Sequence, residues 1–200
     1  AQKAGIALGE TRLIKVNMRM ETNVKDVYAC GDCVESIHLI TKRPVVCQLG
    51  TAAVRQAKVA GTNAAGGYAI FPGVLGAAVT RLFDTEIGTV GLTEFSAQRA
   101  GIETISVAFS GKTRAQYYPG ALPIRVKLIA EKETEKLIGA QIIAGEGVAQ
   151  RINALSFAIL KGMTIRELAK AETCYAPPVA ETWDPMVLAA QTLIRRLKRK

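Results

Sequence analysis

Alternating apolar and polar residues in the second half of the chain predict an antiparallel sheet. Ile124, Val126 and Leu128 alternate with outward cations, a pattern typical of a half-buried strand. A polar stretch at 131–136 separates this strand from a second apolar run at 137–144, which predicts a hairpin. Two further strands are predicted. One ends at 90–92, and the other contains the alternating apolar residues Ile105, Val107 and Phe109.

Helical faces and end signals predict helices beside this sheet. Ile152, Leu155 and Ile159 recur at helical spacing and form one apolar face. Thr93 is a predicted N-cap, and Gly101 is the C′ glycine that ends the same short helix. A capping box from Thr164 to Glu167 predicts a second short helix. Asp184 before Pro185 predicts the start of a third, in which Met186, Ala190, Leu193 and Leu197 share a face. Residues from about 70 onward therefore predict an α+β unit with an antiparallel sheet and flanking helices.

The first part of the chain has weaker patterning. Short strands are predicted at 11–16 and 26–29, and a helix at 50–65. The alanines of this helix recur at steps of four, three and four and predict a closely packed face, formed by Ala53, Ala57, Ala60 and Ala64. Two glycines and a proline at 66–72 indicate a boundary. We therefore predict two regions, 1–68 and 69–200.

Composition indicates a folded protein. The 200 residues are 49% hydrophobic and 22% charged, which excludes disordered and collagen-like chains. Five of the last six residues, 195–200, are cationic and account for much of the net charge of +9. Cations at the end of a helix favour its dipole, whereas nucleic-acid binding usually spreads charge over a face, so nucleic acid is not an expected partner. No signal peptide or apolar run of ~18 residues is visible, so we expect a soluble, cytoplasmic protein without a membrane partner.

Four cysteines raise the question of metal or redox chemistry. Cys30 and Cys33 have the C-x-x-C spacing of a dithiol pair or half a zinc site. Further zinc ligands would have to come from Cys47, Cys174 or His38, because the sequence holds no second C-x-x-C. The alternative function is a non-catalytic metal- or nucleic-acid-binding module that uses Cys30, Cys33 and the basic tail. A domain that serves assembly alone, without a ligand, is a third possibility.

A family resemblance gives the same segment another meaning. The block at 22–32, which ends Tyr28-Ala29-Cys30-Gly31-Asp32, resembles the second FAD-binding motif of the flavoprotein disulfide reductases with two dinucleotide-binding domains. The resemblance implies that Asp32 accepts a hydrogen bond from a ribityl hydroxyl of FAD and that Gly31 lets the backbone approach it. The following helix resembles the one whose N-terminus faces the flavin, which implies that Leu49, Gly50 and Thr51 contact the cofactor.

Three later blocks, 136–149, 152–160 and 174–178, resemble the dimerisation domain of the same family. Members similar to glutathione reductase carry an acid/base histidine there, whereas this chain has no histidine beyond His38. Its Tyr-Ala-Pro-Pro at 175–178 resembles the CoA-disulfide reductase and NADH oxidase branch. That resemblance implies that Tyr175 and, more loosely, Tyr118 act in the active site of the partner subunit, where a phenol can donate to a thiolate. Packing of Tyr175 in a proline-rich turn is the alternative.

The resemblance implies an FAD-dependent NAD(P)H oxidoreductase that works as a homodimer. No Gly-x-Gly-x-x-Gly occurs in the 200 residues, although such a loop binds dinucleotide phosphates. We therefore expect a C-terminal part that lacks the N-terminal FAD and NAD(P)H domains and does not turn over NAD(P)H by itself. The electron acceptor stays open between a disulfide, a CoA disulfide or persulfide, and oxygen, and so does the choice between NADH and NADPH.

Overall fold

The computed structural model describes residues 1–197, which fold as two compact units. The first unit is Ala1–Gly76, and the second begins at Ala77. The sequence signals for a boundary lie slightly earlier, at 66–72. In this described part of the chain, no helix is both long and apolar enough to span a bilayer.

The first unit is largely irregular. It contains a single 3-10 turn (Gln2–Ala4), an antiparallel pair of two-residue strands, β1 (Ser36–Ile37) and β2 (Pro44–Val45), and the helix α1 (Gly50–Ala64). Its small core is built mainly from Met20, Cys47, Ala52, Val59, Ala60, Phe71 and Val74. Helix α1 supplies Ala52, Val59 and Ala60 to this core, and the other four residues lie outside the named helices and strands.

Two predicted strands in this unit are wrong. The segment at 11–16 makes only isolated bridges, through Ile14, and the segment at 26–29 makes only one, between Tyr28 and Glu21. Neither segment lies beside a neighbour for more than one paired position, so no ladder forms. Their apolar residues instead pack singly against the core from irregular backbone, as Val16 and Tyr28 do.

The buried face of α1 also differs from the predicted alanine face. Ala57 and Ala64 are exposed, and the helix instead buries Ala52, Gln56, Val59, Ala60 and Asn63. The Asn63 amide donates to the carbonyls of Arg19 and Ala69 and accepts from the Ala69 N–H. Because its hydrogen bonds are satisfied, this polar side chain can occupy the buried face.

The second unit is the predicted α+β fold, which the structure confirms. One antiparallel sheet has the strand order β3-β4-β7-β6-β5. In chain order the elements are β3 (Ala78–Leu82), β4 (Thr85–Gly91), α2 (Glu94–Arg99), β5 (Thr104–Lys112), β6 (Pro123–Glu131), β7 (Leu137–Ala144), α3 (Val148–Leu160), α4 (Ile165–Leu168) and α5 (Pro185–Leu197). The predicted hairpin is β6–β7, in which Leu128 pairs with Ala140. Strand β3 was missed because four of its five residues are exposed and show no alternation.

Helices α3 and α5 cover one face of this sheet. Helix α3 packs on β4 and β7, and α5 packs on β5 and β6. Gly88 permits the close approach of α3, because an added Cβ would lie 2.6 Å from an Ile152 side-chain atom and 2.7 Å from one of Val148. On strand β6, which lies between β7 and β5, Val126 and Leu128 are buried, whereas Arg125 is exposed.

The predicted helix ends are also present. Thr93 and Thr164 both form capping boxes, at the starts of α2 and α4. Gly101 follows α2 with φ +79°, and the Asp184 carboxylate accepts from the Met186 N–H at the start of α5. Of the basic tail, Arg195 and Arg196 form the last turn of α5, while 198–200 lie outside the described residues.

Candidate active site

The Gly-Asp turn of the first unit is held by a helix side chain. Gly31 has φ +86°, and its N–H donates to Gln56 Oε1 at 2.8 Å. An added Cβ would lie 3.7 Å from the Cβ of Ala53, an ordinary contact. The glycine is therefore required by its left-handed backbone conformation rather than by lack of space.

Gln56 is a site residue that the sequence did not identify. It is 1% exposed, and its Nε2 donates to Ser36 Oγ at 2.9 Å. One amide thus joins α1, β1 and the turn that carries Asp32. The available signal was the helical spacing of Gln56 from Ala52 and Asn63, which share its face.

Asp32 lies near the start of α1. Its carboxylate is exposed and is close enough to Cys47 to raise the pKa of that thiol, an effect in which burial is the larger cause. The Leu49 N–H is hydrogen-bonded to the same cysteine and opposes the shift. The structure therefore brings together Asp32 and Leu49, two of the predicted cofactor contacts, around Cys47.

The N-terminus of α1 is open. Leu49 is its N-cap and makes no side-chain capping hydrogen bond, and the first turn contains no acidic residue. Gly50 and Thr51 are exposed, and an added Cβ on Gly50 would meet no described atom within 4 Å. The first N–H groups of a helix carry partial positive charge, so this end can bind an electron-rich group.

The C-x-x-C pair shows no metal-site geometry. Cys30 packs against the core of the first unit, and the exposed Cys33 thiol makes a weak contact with the Cys30 carbonyl at 3.5 Å. Across the described chain, no three His, Cys, Asp or Glu residues could hold a metal ion together. His38 is buried, its Nδ1 accepts from the Ile40 N–H at 3.2 Å, and burial and then the charge of Lys42 lower its pKa. The zinc alternative therefore finds no support in this arrangement.

Two tyrosines meet in the second unit. The hydroxyls of Tyr117 and Tyr175 lie 2.7 Å apart, and the side chains are 75% and 48% exposed. Tyr118, which was predicted to act with Tyr175, makes no hydrogen bond to it in the described chain; its backbone N–H donates to the Ala115 carbonyl. Tyr117 was not named from the sequence because the family resemblance pointed, loosely, to its neighbour Tyr118.

The contacts around this pair raise the pKa of Tyr117. The hydrogen bond with Tyr175 is the main cause that raises the Tyr117 pKa, followed by burial and by the charges of Tyr175 and Glu181. One hydroxyl of the pair donates to the other, so the second O–H is free to donate outward. The pair can therefore stabilise an anionic ligand such as a thiolate.

Comparison with protein families gives two matches along the chain. Residues 77–187 match the dimerisation domain of the pyridine nucleotide-disulphide oxidoreductases. Residues 1–60 match a second family, described as pyridine nucleotide-disulphide oxidoreductase. The first match covers more than half of the chain.

Individual proteins agree with these matches. An NADH oxidase of Methanocaldococcus jannaschii is 46% identical over 200 residues, all of this chain and 44% of that protein. An NAD(P)H coenzyme A polysulfide/persulfide reductase of Pyrococcus horikoshii is 39% identical over 96% of this chain and 43% of its own length. The structure of an NAD-dependent persulfide reductase from A. fulgidus superposes with a TM-score of 0.95 and 40% identity, and the match covers 99% of this chain and 37% of that one. The chain thus spans less than half the length of these relatives.

Proposed function

Since the chain belongs to the pyridine nucleotide-disulphide oxidoreductase family, we propose that it forms the C-terminal part of an FAD-dependent NAD(P)H oxidoreductase. The family prediction is confirmed by both matches, and the relatives include the NADH oxidase and CoA-dependent types. The family consists of FAD- and NAD(H)-dependent oxidoreductases. In the proposed enzyme, NAD(P)H reduces a sulfur-containing acceptor linked to coenzyme A.

The first unit would supply part of the FAD site. Asp32 offers carboxylate oxygens that accept from hydroxyls, and Gly31 leaves its backbone uncovered by a side chain. The uncapped start of α1, with Leu49, Gly50 and Thr51, suits an electron-rich edge of a ring. These residues fit the cofactor in donor and acceptor chemistry. When bound, FAD supplies two-electron redox chemistry between NAD(P)H and the acceptor.

The hydrogen bond between Tyr117 and Tyr175 is the observation that carries the choice of acceptor. A protonated phenol pair can donate to the thiolate that forms when a disulfide or persulfide bond is broken. In the overall reaction, one NAD(P)H and one proton reduce the S–S bond of a disulfide to two thiols and yield NAD(P)⁺. We assign Tyr117 and Tyr175 to this role, with Tyr118 outside the pair.

The proposed enzyme is a homodimer. The second unit matches a dimerisation domain over 77–187, and a twofold interface is the usual arrangement for identical subunits. In this assembly the tyrosine pair of one subunit would serve the active site of its partner.

Oxygen is the second candidate acceptor. The relative from Methanocaldococcus jannaschii is named an NADH oxidase, and it shares more identity with this chain than the persulfide reductase from Pyrococcus horikoshii does. An assay must therefore compare both acceptors directly.

A chimera tests the proposal. This chain would replace the matching C-terminal part of the Methanocaldococcus jannaschii relative, and NADH oxidation would be measured with CoA disulfide, CoA persulfide and oxygen. We expect bound FAD and the highest kcat/KM with a CoA-linked sulfur acceptor. Tyr175→Phe should lower that value by roughly ten- to a hundredfold, because a hydrogen bond to a charged group contributes about 1.5–3 kcal/mol. Tyr68→Phe is the matched control, since that tyrosine lies in the first unit and is exposed.

The outcomes separate the candidates. A chimera that oxidises NADH with oxygen and ignores both sulfur compounds would favour the second candidate. A chimera that binds FAD but oxidises no NADH with any of the three acceptors would refute the proposal. Asp32→Ala should lower the FAD content while the protein stays folded by circular dichroism.

A further inference from the structure

The two tyrosines of the pair lie on segments without regular secondary structure. Tyr117 is on the loop at 113–122 that joins β5 to β6, and Tyr175 is on the segment at 169–184 that joins α4 to α5. Near their tips these segments are also connected by the Gln116 N–H, which donates to Glu181 Oε1 at 3.2 Å. Both of these contacts are exposed. Exposed contacts between irregular segments contribute little rigidity. Holding the two tyrosine hydroxyls 2.7 Å apart therefore requires further contacts at the ends of the two segments.

Arg151 of α3 connects the bases of both segments. Its Nε donates to Asp184 Oδ2 at 2.9 Å, and its Nη2 donates to the Thr113 carbonyl at 3.3 Å. Its Nη1 donates to the Gly147 carbonyl at 3.1 Å, one turn earlier in the chain. One planar guanidinium thus joins the first residue of one tyrosine segment to the last residue of the other.

The ion pair at this junction is well buried. The Arg151 and Asp184 side chains are 10% and 14% exposed. Removing one partner of such a pair leaves a buried charge without compensation, whereas apolar residues of similar size often replace the whole pair without loss of stability. A buried ion pair is therefore weak evidence for a purely stabilising role, and the fixed fork of an arginine is suited to setting geometry.

Both attachment points are themselves fixed. Thr113 is 2% exposed, its N–H donates to the Leu122 carbonyl, and its hydroxyl donates to Glu146 Oε1 at 2.7 Å. Asp184 uses its other carboxylate oxygen and its carbonyl to accept from the Met186 and Leu188 N–H groups of α5. Arg151 therefore holds two rigid bases rather than two mobile ends.

We infer that Arg151 is a positioning residue for the Tyr117–Tyr175 pair, acting through Thr113 and Asp184. The inference rests on the proposed function, because the pair matters for catalysis only if it meets the acceptor. Arg151 touches neither tyrosine in its hydrogen bonds, so its effect is on where the two hydroxyls lie.

The test measures the pair itself in the 200-residue chain, without cofactor or substrate. Tyrosine labelled with ¹³C at Cζ reports the Tyr117 pKa by NMR titration, and Tyr175→Phe gives the value when the hydrogen bond is lost. We expect Arg151→Met to lower the Tyr117 pKa toward that value and Arg151→Lys to restore part of the difference. Arg166→Met is the matched control, because Arg166 pairs with Glu135 at an exposed site, and it should leave the Tyr117 pKa unchanged.

A second variant keeps the test valid if Arg151→Met does not fold. Asp184→Asn retains an oxygen for the Met186 N–H and removes the charge that Arg151 pairs with, so it should lower the Tyr117 pKa in the same direction. A folded Arg151→Met or Asp184→Asn variant with an unchanged Tyr117 pKa would overturn the inference.

The chimera distinguishes this inference from the proposed function. In an active chimera, Arg151→Met should reduce kcat/KM for the sulfur acceptor by about fivefold and leave the KM for NADH unchanged. Normal kinetics of Arg151→Met in an active chimera would contradict the inference and leave the proposed function intact. A chimera inactive with every acceptor would contradict the proposed function, while the NMR result on the pair would still stand.

Discussion

At the residue scale, the sheet of the second unit depends on glycines where backbone passes close to backbone. An added Cβ on Gly139 would lie 1.8 Å from the Leu92 carbonyl oxygen. Its paired neighbour Gly91 has φ +71°, and a Cβ there would lie 2.2 Å from the Ile138 carbonyl oxygen. No side chain fits at either position without displacing a strand.

We predict that Gly139→Ala destabilises the second unit by about 3 kcal/mol, because overpacking against backbone cannot relax by rotamer changes. Gly120→Ala is the control. That glycine has φ +79° but open space around it among the described residues, so only backbone strain of about 1 kcal/mol applies. Urea unfolding measures the free energy of unfolding of both variants. Equal losses in the two variants would contradict the steric explanation.

The candidate site shows what a sequence can and cannot specify for single residues. Asp32 and Tyr175 stand in recognisable blocks, so they could be named from the sequence. Gln56 could not, because burial of an amide depends on partners such as the Gly31 N–H that only the fold brings near. Tyr117 was missed for a similar reason: a turn sets which of two adjacent side chains points to Tyr175.

At the scale of elements, the starts of α2 and α4 in the second unit are fixed by threonine side-chain caps. The Thr93 hydroxyl accepts from the Ser96 N–H at 3.1 Å, and Ser96 Oγ accepts from the Thr93 N–H at 2.9 Å. Helix α2 has only six residues, too few for its own hydrogen bonds to maintain it. The cap therefore decides whether this helix forms.

We predict that Thr93→Ala lowers the free energy of unfolding by about 1 kcal/mol, as expected for loss of an N-cap. Thr93→Ser keeps the hydroxyl and should lose much less. The urea midpoint of each variant provides the measurement. A Thr93→Ser variant as unstable as Thr93→Ala would show that the methyl group, not the cap, matters.

The ion pair between Arg114 and Glu146 makes stability depend on pH. Hydrogen bonds from Arg114 and then from Thr113 are the main causes that lower the Glu146 pKa. A lowered carboxyl pKa contributes stability above the unfolded value of about 4.3, and this contribution disappears as the pH falls through the folded pKa.

We therefore predict that Glu146→Gln is less stable than the wild type at about pH 7 and that the difference shrinks below about pH 4. The comparison must use the difference between the two proteins, because the pKa of Glu94 is also lowered, chiefly by Lys127. Urea midpoints across this range give the result. A difference that stays constant with pH would exclude a role for the Glu146 charge.

Elements of the two units differ in how well the sequence predicts them. Strand β6 was predicted because one of its faces packs on helices and the other does not, so Val126 and Arg125 alternate. The segments at 11–16 and 26–29 form only isolated bridges and pack single residues from irregular backbone. The spacing of their apolar residues therefore does not reflect strand pairing. Edge strand β3 has little buried surface, so its apolar and polar residues do not alternate.

At the scale of the whole molecule, the second unit exposes many large apolar side chains. Scattered exposed apolar residues are normal on a monomer, but larger sets mark surfaces that bind other proteins. Those at least 40% exposed in the second unit, apart from the tyrosines, are Val79, Leu82, Phe83, Ile87, Phe95, Ile143, Phe157, Leu160, Val179 and Trp183. These exposed residues are consistent with the homodimer proposed from the dimerisation-domain match.

The central claim is that this chain carries the dimerisation domain and part of the FAD site of an NAD(P)H oxidoreductase. Native mass spectrometry of the 200-residue chain tests it most directly, because one spectrum reports the number of chains and any bound flavin or zinc. We predict a species with twice the 21.4 kDa chain mass and no zinc. A monomer that carries zinc would contradict the account and would return Cys30 and Cys33 to the centre of the function.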